Sequence, residues 1–178
     1  IGAVDATENL RRGLPHFAIT LAYQLNGETT VGLIHNPIQD ETFSAVTGQG
    51  ALLNQKRIRT NKNVKALSGA IFAGCNNQNT PGMQETINPI ANAIALKTAG
   101  SYSSGSNALD IVYTACGRLD GFWNLSATPH DLSAALLIAK EAGALTTSLK
   151  GEEAFGLSND LLVCHPKLHE QMLAVIRG

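Results

Sequence analysis

The sequence predicts a layered α/β (α+β) sandwich built from two halves. In the first half, three short apolar segments before residue 47 are joined by turn signals, which is typical of an antiparallel sheet. In the second half, short apolar runs alternate with segments of helical periodicity, which is typical of a mixed α/β layer. We therefore expect an antiparallel-sheet half at residues 1–60 and an α/β half at residues 70–178. The two halves should form one composite unit.

The antiparallel half is predicted from strand and turn signals in order along the chain. Residues 17–25 have strand composition, and the Asn26-Gly27 pair that follows is a strong hairpin signal. Residues 29–34 then return as the partner strand, and residues 41–46 form a third strand. Such a meander can place one face on a core. Residues 51–69 are polar and irregular, and we expect a hinge there.

The second half is predicted from short apolar runs that alternate with segments of helical periodicity. Pro89 must kink the first helix or force it to begin nearby, and Gly143 ends the third. The predicted strands are residues 70–74, 96–99, 119–124, 145–148 and 161–164, and the predicted helices start near Met83 and then cover residues 106–116, 129–142 and 166–176.

Composition excludes several classes of function. A net charge of −1 leaves no electrostatic footprint for nucleic acid. No apolar run approaches the length of a membrane span. The three cysteines are far apart, which favours free thiols in a reducing compartment, so a cytoplasmic protein is expected.

Three separated blocks carry residues suited to catalysis. The first is residues 5–9 (Asp-Ala-Thr-Glu-Asn). The second is residues 105–110 (Gly-Ser-Asn-Ala-Leu-Asp), continued by residues 117–123 (Gly-Arg-Leu-Asp-Gly-Phe-Trp). The third is His130-Asp131. Taken singly, each has a plain structural explanation, such as a solvated turn at Asp5 or a helix start at Asp131.

Together the three blocks resemble the inositol monophosphatase family. The family's usual forms are Asp-Pro-(apolar)-Asp-Gly-Thr-x-Asn-Phe, Gly-Ser-x-Ala-Leu-Asp with Gly-Arg-x-Asp-Gly-Phe, and Trp-Asp-x-Ala-Ala. The likeness spans almost the whole chain. It implies a Mg²⁺-dependent phosphomonoesterase that hydrolyses a small polyol or sugar phosphate such as inositol 1-phosphate. It also implies a homodimer and a single composite catalytic unit.

The resemblance assigns a role to each matching residue. Hard cations held by oxygen ligands neutralise the transferred phosphoryl group and help to align the attacking water. By resemblance, the Mg²⁺ ligands are the Asp5 and Asp131 carboxylates and the backbone carbonyl of Val4. The Thr7 hydroxyl orients the water, with Asp5 beside it as a catalytic residue. The substrate-binding residues are Ala6, Gly105, Ser106, Asn124 and Asp131.

Several positions depart from the family pattern. Gly2 stands where the family has a carboxylate that bridges two cations, and Ala3 replaces a proline. Ala6 replaces a glycine, which restricts the backbone if that turn needs positive φ. Asn124 replaces a glutamate that engages a substrate hydroxyl or amine. These changes support an alternative function, a catalytically impaired member that acts as a binding or regulatory module.

Two further expectations concern the ends of the chain. The family's N-terminal region has no counterpart before Ile1, so we expect a fragment of a longer protein whose meander lacks cover on one face. Near the other end, His165 and His169 have the i, i+4 spacing of a helical metal site. However, Pro166 places His165 outside the helix, so a structural role is favoured for both.

Overall fold

The computed structural model describes residues 2–74, 82–127, 129–153 and 160–178. The side chains of residues 2, 3 and 129–131 are outside this described part. The predicted capping by Thr128, and the predicted roles of the His130 and Asp131 side chains, therefore lie outside the described residues.

The first sheet is an antiparallel meander of six strands in chain order. The strands are β1 Gly2–Asp5, β2 Ala18–Leu25, β3 Glu28–Asn36, β4 Glu41–Val46, β5 Gly50–Leu53 and β6 Lys56–Ile58. Asn26 and Gly27 both have positive φ, as a two-residue hairpin turn requires. The predicted meander is therefore confirmed.

The prediction of an irregular segment at residues 51–69 is wrong. Strands β5 and β6 pair there as a second tight hairpin, and Leu67–Gly69 forms a 3-10 turn. The hairpin turn is Asn54-Gln55, whose φ angles are 45° and 65°. Glutamine rarely adopts positive φ, so this turn carries no glycine signal that sequence reasoning could use.

The second sheet has five strands in the order β10-β11-β9-β7-β8. Strand β7 is parallel to both of its neighbours, whereas the other pairs are antiparallel. The strands are β7 Ile71–Gly74, β8 Gly100–Tyr102, β9 Gly121–Asn124, β10 Leu145–Thr147 and β11 Leu161–Cys164. The α/β layer expected for this half is confirmed.

Five α-helices are present in the described ranges: α1 Thr7–Arg11, α2 Gln84–Lys97, α3 Asn107–Ala115, α4 Pro129–Glu141 and α5 Pro166–Arg177. Pro89 lies inside α2, so the helix does not begin there. The predicted strand at residues 96–99 is wrong, because α2 continues to Lys97 and Thr98 bonds back to the Ile94 carbonyl. A short apolar run at a helix end cannot be told from a strand by periodicity alone.

The elements stack in four layers around two cores. Helices α3 and α4 lie between the sheets in one core, which includes Phe43 from the first sheet and Phe122 from the second. Helices α2 and α5 cover the other face of the second sheet. At Gly32 in β3, an added Cβ would lie 2.8 Å from the Ala134 carbonyl oxygen, so this glycine lets α4 approach the first sheet closely.

The outer face of the first sheet remains apolar and exposed in the described part of the chain. Alternate residues of β2 (Ile19, Leu21 and Tyr23) are between 40% and 57% exposed. Among the described helices, none has both the length and the apolar character needed to cross a membrane.

Candidate functional site

The first motif block forms a tight strand–turn–helix connection. Strand β1 ends at Asp5, Ala6 adopts the left-handed conformation with φ 62° and ψ 50°, and α1 begins at Thr7. An alanine in this conformation is strained, whereas glycine is not. The turn therefore needs positive φ at residue 6. The restriction that alanine places on the backbone, which was conditional on positive φ, applies here.

The second block meets the first at the start of α3. The Ser106 hydroxyl donates a hydrogen bond to Asp5 Oδ2 at 2.5 Å, and the Ala108 N–H donates to the same oxygen at 3.0 Å. Ser106 also caps α3, because its Oγ accepts from the Leu109 N–H at 3.2 Å. The carboxylate of Asp5 is thus held at the positive end of a helix dipole, a favourable place for negative charge.

Asn9 ties the two blocks together. Its Nδ2 donates to the His16 carbonyl at 2.7 Å and to the Ser104 carbonyl at 2.9 Å. Gly105 has φ 84°, and an added Cβ there would lie 3.1 Å from the amide of Asn9. The sequence matched Asn9 to the family pattern but assigned it no role, since only the fold shows which carbonyls it reaches.

Asp110 and His16 are two titratable groups that lie near enough to Asp5 for its charge to act on their pKa values. Burial raises the pKa of the Asp110 carboxyl to about 7, a hydrogen bond to Ser104 lowers it in part, and the nearby Asp5 charge raises it further. Burial lowers the pKa of His16, against a smaller opposing effect of Asp5. Asp110 Oδ1 and His16 Nε2 are among the few described buried polar atoms without a hydrogen-bond partner. Buried polar atoms without a partner are uncommon in native proteins, so each calls for an explanation.

Asn124 ends strand β9 and is fully buried. Its Oδ1 accepts a hydrogen bond from the Ser126 N–H at 2.8 Å, while its Nδ2 has no partner. Helix α3 directly precedes β9 in the chain and packs in the same core, which includes Phe122 of β9.

The structure describes the surroundings of Asp5 and Val4, two of the three metal ligands that the resemblance implies, and the ligand set stays a prediction. Asp5 supplies hard carboxylate oxygens, and the Val4 carbonyl precedes it at an irregular pairing of β1 with β2. Asp131 belongs to the first turn of α4. Within the described residues, no group of three or more His, Cys, Asp or Glu side chains could hold an ion. Because Gly2 supplies no bridging carboxylate, the donors fit a single cation at Asp5 better than a pair about 3.5–4 Å apart.

The two C-terminal histidines do not form a metal site together. His165 precedes α5 and accepts a hydrogen bond from the Lys167 N–H at 3.1 Å. His169 is buried, and its Nε2 lies 2.7 Å from the Thr147 hydroxyl. One ring caps a helix and the other fills the core, so the structural role favoured from the sequence fits both.

The sequence is similar to known proteins over nearly its whole length. A family model described as "Inositol monophosphatase family" matches residues 4–178. The protein named Nus factor SuhB of Vibrio cholerae is 35% identical over 177 residues, which is 99% of this chain and 66% of that protein. Its namesake in Escherichia coli strain K12 is 33% identical with the same coverage. The chain thus spans slightly less than two thirds of the length of these relatives.

Solved structures have the same fold. The IMPase of Thermotoga maritima superposes with a TM-score of 0.89 at 32% identity, covering 98% of this chain and 66% of that one. The extragenic suppressor protein suhB of Bartonella henselae superposes with a TM-score of 0.91 at 29% identity, covering 98% and 67%. The SaIMPase-II structure with inositol monophosphate bound has a TM-score of 0.82 at 25% identity, covering 96% and 65%.

Proposed function

This chain belongs to the inositol monophosphatase family, and we propose that its protein is a Mg²⁺-dependent phosphomonoesterase. The substrate is a small polyol or sugar phosphate such as inositol 1-phosphate. The catalytic unit is composite, drawing on the antiparallel half at residues 1–60 and the α/β half at residues 70–178. The protein acts as a cytoplasmic homodimer.

The placement of Asp5 at the start of α3 carries this proposal. Its carboxylate accepts hydrogen bonds from Ser106 and Ala108, so the acidic group and the anion-favouring helix end are side by side. The Ala108 and Leu109 N–H groups are already bonded to Asp5 and Ser106, so this helix end serves to fix the carboxylate that the cation of a bound phosphate ester needs. Neither Asp5 nor α3 alone would suggest this chemistry.

The proposed roles follow from this placement. Mg²⁺, when bound, would neutralise charge on the phosphoryl group, and Asp5, Asp131 and the Val4 carbonyl would hold it. Thr7 is exposed at the start of α1, where its hydroxyl can orient a water molecule. The N–H group of Ala6 would bind a phosphate oxygen. Gly105, Ser106 and Asn124 would contact the rest of the substrate.

Gly2 and the names of the relatives favour a second function, a binding or regulatory module. Without a bridging carboxylate at position 2, two close cations would repel each other with no group between them to offset the repulsion. The relatives named Nus factor SuhB suggest by that name a regulatory role. On this second proposal, the site binds a phosphorylated ligand or a protein partner without turnover.

Phosphate release from inositol 1-phosphate separates the two functions. The full-length protein should show Mg²⁺-dependent turnover that falls at least about 100-fold in Asp5→Asn, because a lost metal ligand removes several kcal/mol of transition-state stabilisation. The matched control is Asp40→Asn, which changes an exposed turn carboxylate of the first sheet and should leave the rate unchanged.

The phosphate-release assay can support either the enzyme or the binding module. An inactive parent protein whose Gly2→Asp variant gains turnover would support the binding module. Turnover that persists in Asp5→Asn, or that needs no divalent cation, would contradict the proposed enzyme.

A further inference from the structure

Positive charge is concentrated in one acid-free stretch of the chain. Residues 42–84 hold five of the 13 Lys and Arg residues and none of the 14 Asp and Glu residues. All five cations are exposed, and none forms an ion pair within the described part of the chain. They are Lys56, Arg57, Arg59, Lys62 and Lys65. Such a concentration of one sign of charge attracts an anionic partner.

Two carboxylates lie beside this stretch, but their oxygens are engaged elsewhere. Glu141 accepts hydrogen bonds from the Gly48 and Gly50 N–H groups at 2.8 and 2.7 Å. Asp120 accepts from the side-chain amide of Asn61 and from a backbone N–H of β7, both at 2.8 Å. Each of the four carboxylate oxygens thus binds a neutral N–H donor, and the five cations outnumber these two acids.

Strand β6 carries part of this charge and is an open sheet edge. It is last in the strand order and pairs only with β5 among the described strands. Just beyond β5, the Asn54 N–H bonds to the Thr42 carbonyl of β4 at 2.9 Å. Because main-chain groups along a strand alternate between its two sides, Leu53 bonds to its partner Lys56 in β6. By the same alternation, the N–H and C=O groups of Arg57 point to the open side.

Two arginine side chains converge beside this edge. Arg57 and Arg59 are two positions apart in extended chain, so they lie on one face. A Cβ added to Gly50 would lie 2.5 Å from a guanidinium nitrogen of Arg57 and 3.9 Å from one of Arg59. Both guanidinium groups therefore lie within 4 Å of one point. Arg59 donates to the Glu141 carbonyl at 2.8 Å, whereas the Arg57 side chain has no hydrogen-bond partner among the described residues.

We propose that β6 is a docking edge for an acidic, extended peptide segment of a partner protein. The segment adds to the sheet beside β6 and bonds to the outward main-chain groups of Arg57. Carboxylates at alternate positions of the segment pair with Arg57 and Arg59, as opposite charges on facing strands do. An apolar residue between these carboxylates covers Ile58, which is half-buried and faces the other side.

The chemistry of this edge favours a peptide over single-stranded nucleic acid. Proteins that bind single strands stack the bases on aromatic side chains. Residues 44–71 contain no Phe, Tyr or Trp, and the flanking Phe43 and Phe72 are fully buried. The edge does offer main-chain groups, which an extended peptide can use. It also lies at the opposite end of the strand order from β1, which carries Asp5, so the docking edge is separate from the candidate site.

Fluorescence anisotropy with labelled peptides tests this docking. The main probe alternates glutamate and valine, and a second peptide of the same composition has its glutamates and valines in two separate blocks. The full-length protein should bind the alternating peptide at least about tenfold more tightly, because only alternation places carboxylates opposite both arginines. A labelled oligouridylate is the nucleic-acid probe and should bind more weakly than the alternating peptide.

Variants separate the arginine pair from general charge attraction. Arg57→Glu combined with Arg59→Glu should weaken binding of the alternating peptide at least about tenfold. The matched control is Lys97→Glu combined with Lys150→Glu, which changes the net charge equally on exposed positions of the second half. It should leave the affinity within about twofold of the parent value.

A proline substitution tests the main-chain contribution. Arg57→Ala removes the charge, and Arg57→Pro removes both the charge and the outward N–H, which an edge strand tolerates. Both should fold by circular dichroism, and Arg57→Pro should bind the alternating peptide about threefold more weakly than Arg57→Ala. If the double arginine variant does not fold, the single Arg57→Ala variant serves, with an expected loss of about threefold.

Three results would overturn the inference. Equal affinity for the alternating and block peptides, or equal losses in the arginine variant and its lysine control, would reduce the edge to unspecific charge attraction. Tighter binding of the oligouridylate would make nucleic acid the partner. Equal binding by Arg57→Ala and Arg57→Pro would remove strand addition from the mechanism. The phosphate-release assay tests the proposed function independently of all three.

Discussion

The Ser106 hydroxyl donates a hydrogen bond to the Asp5 carboxylate across 2.5 Å, joining residues that are 101 positions apart in the chain. The same hydroxyl accepts from the Leu109 N–H, so it satisfies the start of α3 while it orients the acid. One side chain therefore connects the strand–turn–helix segment of the first sheet to the central helical layer. The stability of α3 and the geometry of the site depend on the same contact.

Ser106→Ala should lower the free energy of unfolding by about 1–3 kcal/mol, since it removes both a helix N-cap and a charge-assisted hydrogen bond. Urea denaturation checks the change. Ser103→Ala, at an exposed position in the same connection, should change stability by less than about 0.5 kcal/mol. Equal effects of the two substitutions would show that the contact with Asp5 contributes nothing to stability.

Ala6→Gly should raise the free energy of unfolding by about 1 kcal/mol, because φ 62° strains an alanine but not a glycine. The identical change at Ala174, an exposed position inside α5, should lower it by about 1 kcal/mol through lost helix propensity. The opposite signs can be compared in one denaturation series. Destabilisation by Ala6→Gly would argue against the left-handed turn.

Gly105→Ala should destabilise the protein by about 1–2 kcal/mol and weaken phosphate-ester binding. A side chain at φ 84° is strained, and its Cβ would press on the amide of Asn9 at 3.1 Å. Gly69→Ala is the control, since Gly69 has ordinary φ and an added Cβ there meets no atom within 4 Å. Denaturation and calorimetry together check this result. Unchanged ligand affinity would show that this loop does not shape the site.

The buried Asp110 predicts a pH dependence of stability. Burial raises its pKa from 3.8 to about 7, so between these values the folded state keeps a proton that the unfolded chain has lost. The contribution of Asp110 to the free energy of unfolding therefore falls as pH rises from about 4 to about 7, by at most about 1.4 kcal/mol per pH unit, and is constant above that range.

Asp110→Asn should remove this slope and stabilise the protein at pH 8 relative to the parent. Urea denaturation of both proteins at pH 5, 6, 7 and 8 measures the difference. Asp40→Asn, on an exposed turn, should leave the slope as it is in the parent. Parallel pH profiles for the parent and Asp110→Asn would mean that Asp110 is ionised in the folded state.

Most of the fold could be predicted from the sequence. The elements that were predicted wrongly have local causes. The strand at residues 41–46 was predicted at its observed bounds, because period-2 patterning and flanking turn residues are local signals. The β5–β6 hairpin was missed because its Asn54-Gln55 turn relies on positive φ at a glutamine. The end of α2 was missed because Leu96 is 84% exposed, so its apolar character does not indicate burial in a strand.

For the candidate site, the sequence offers candidate residues, whereas their contacts came only from the fold. Asp5, Ser106 and Asn124 were identified from their motif positions. Asn9 and Asp110 belong to the matched blocks, but neither received a role in the site. Their contributions depend on carbonyl groups and burial supplied by distant segments. The spacing of residues within one segment could not have revealed these contributions of Asn9 and Asp110.

The sequence by itself determined the alternation of elements, the family and the missing carboxylate at Gly2, because each depends on residue identity and order alone. Only the tertiary structure decided that the Asp5 carboxylate rests on the start of α3, that Asp110 is buried enough to hold a proton near pH 7, and that the Asn124 amide keeps an unpaired donor. The physical reason is that hydrogen bonding and desolvation depend on what packs against a group, and those neighbours come from distant parts of the chain.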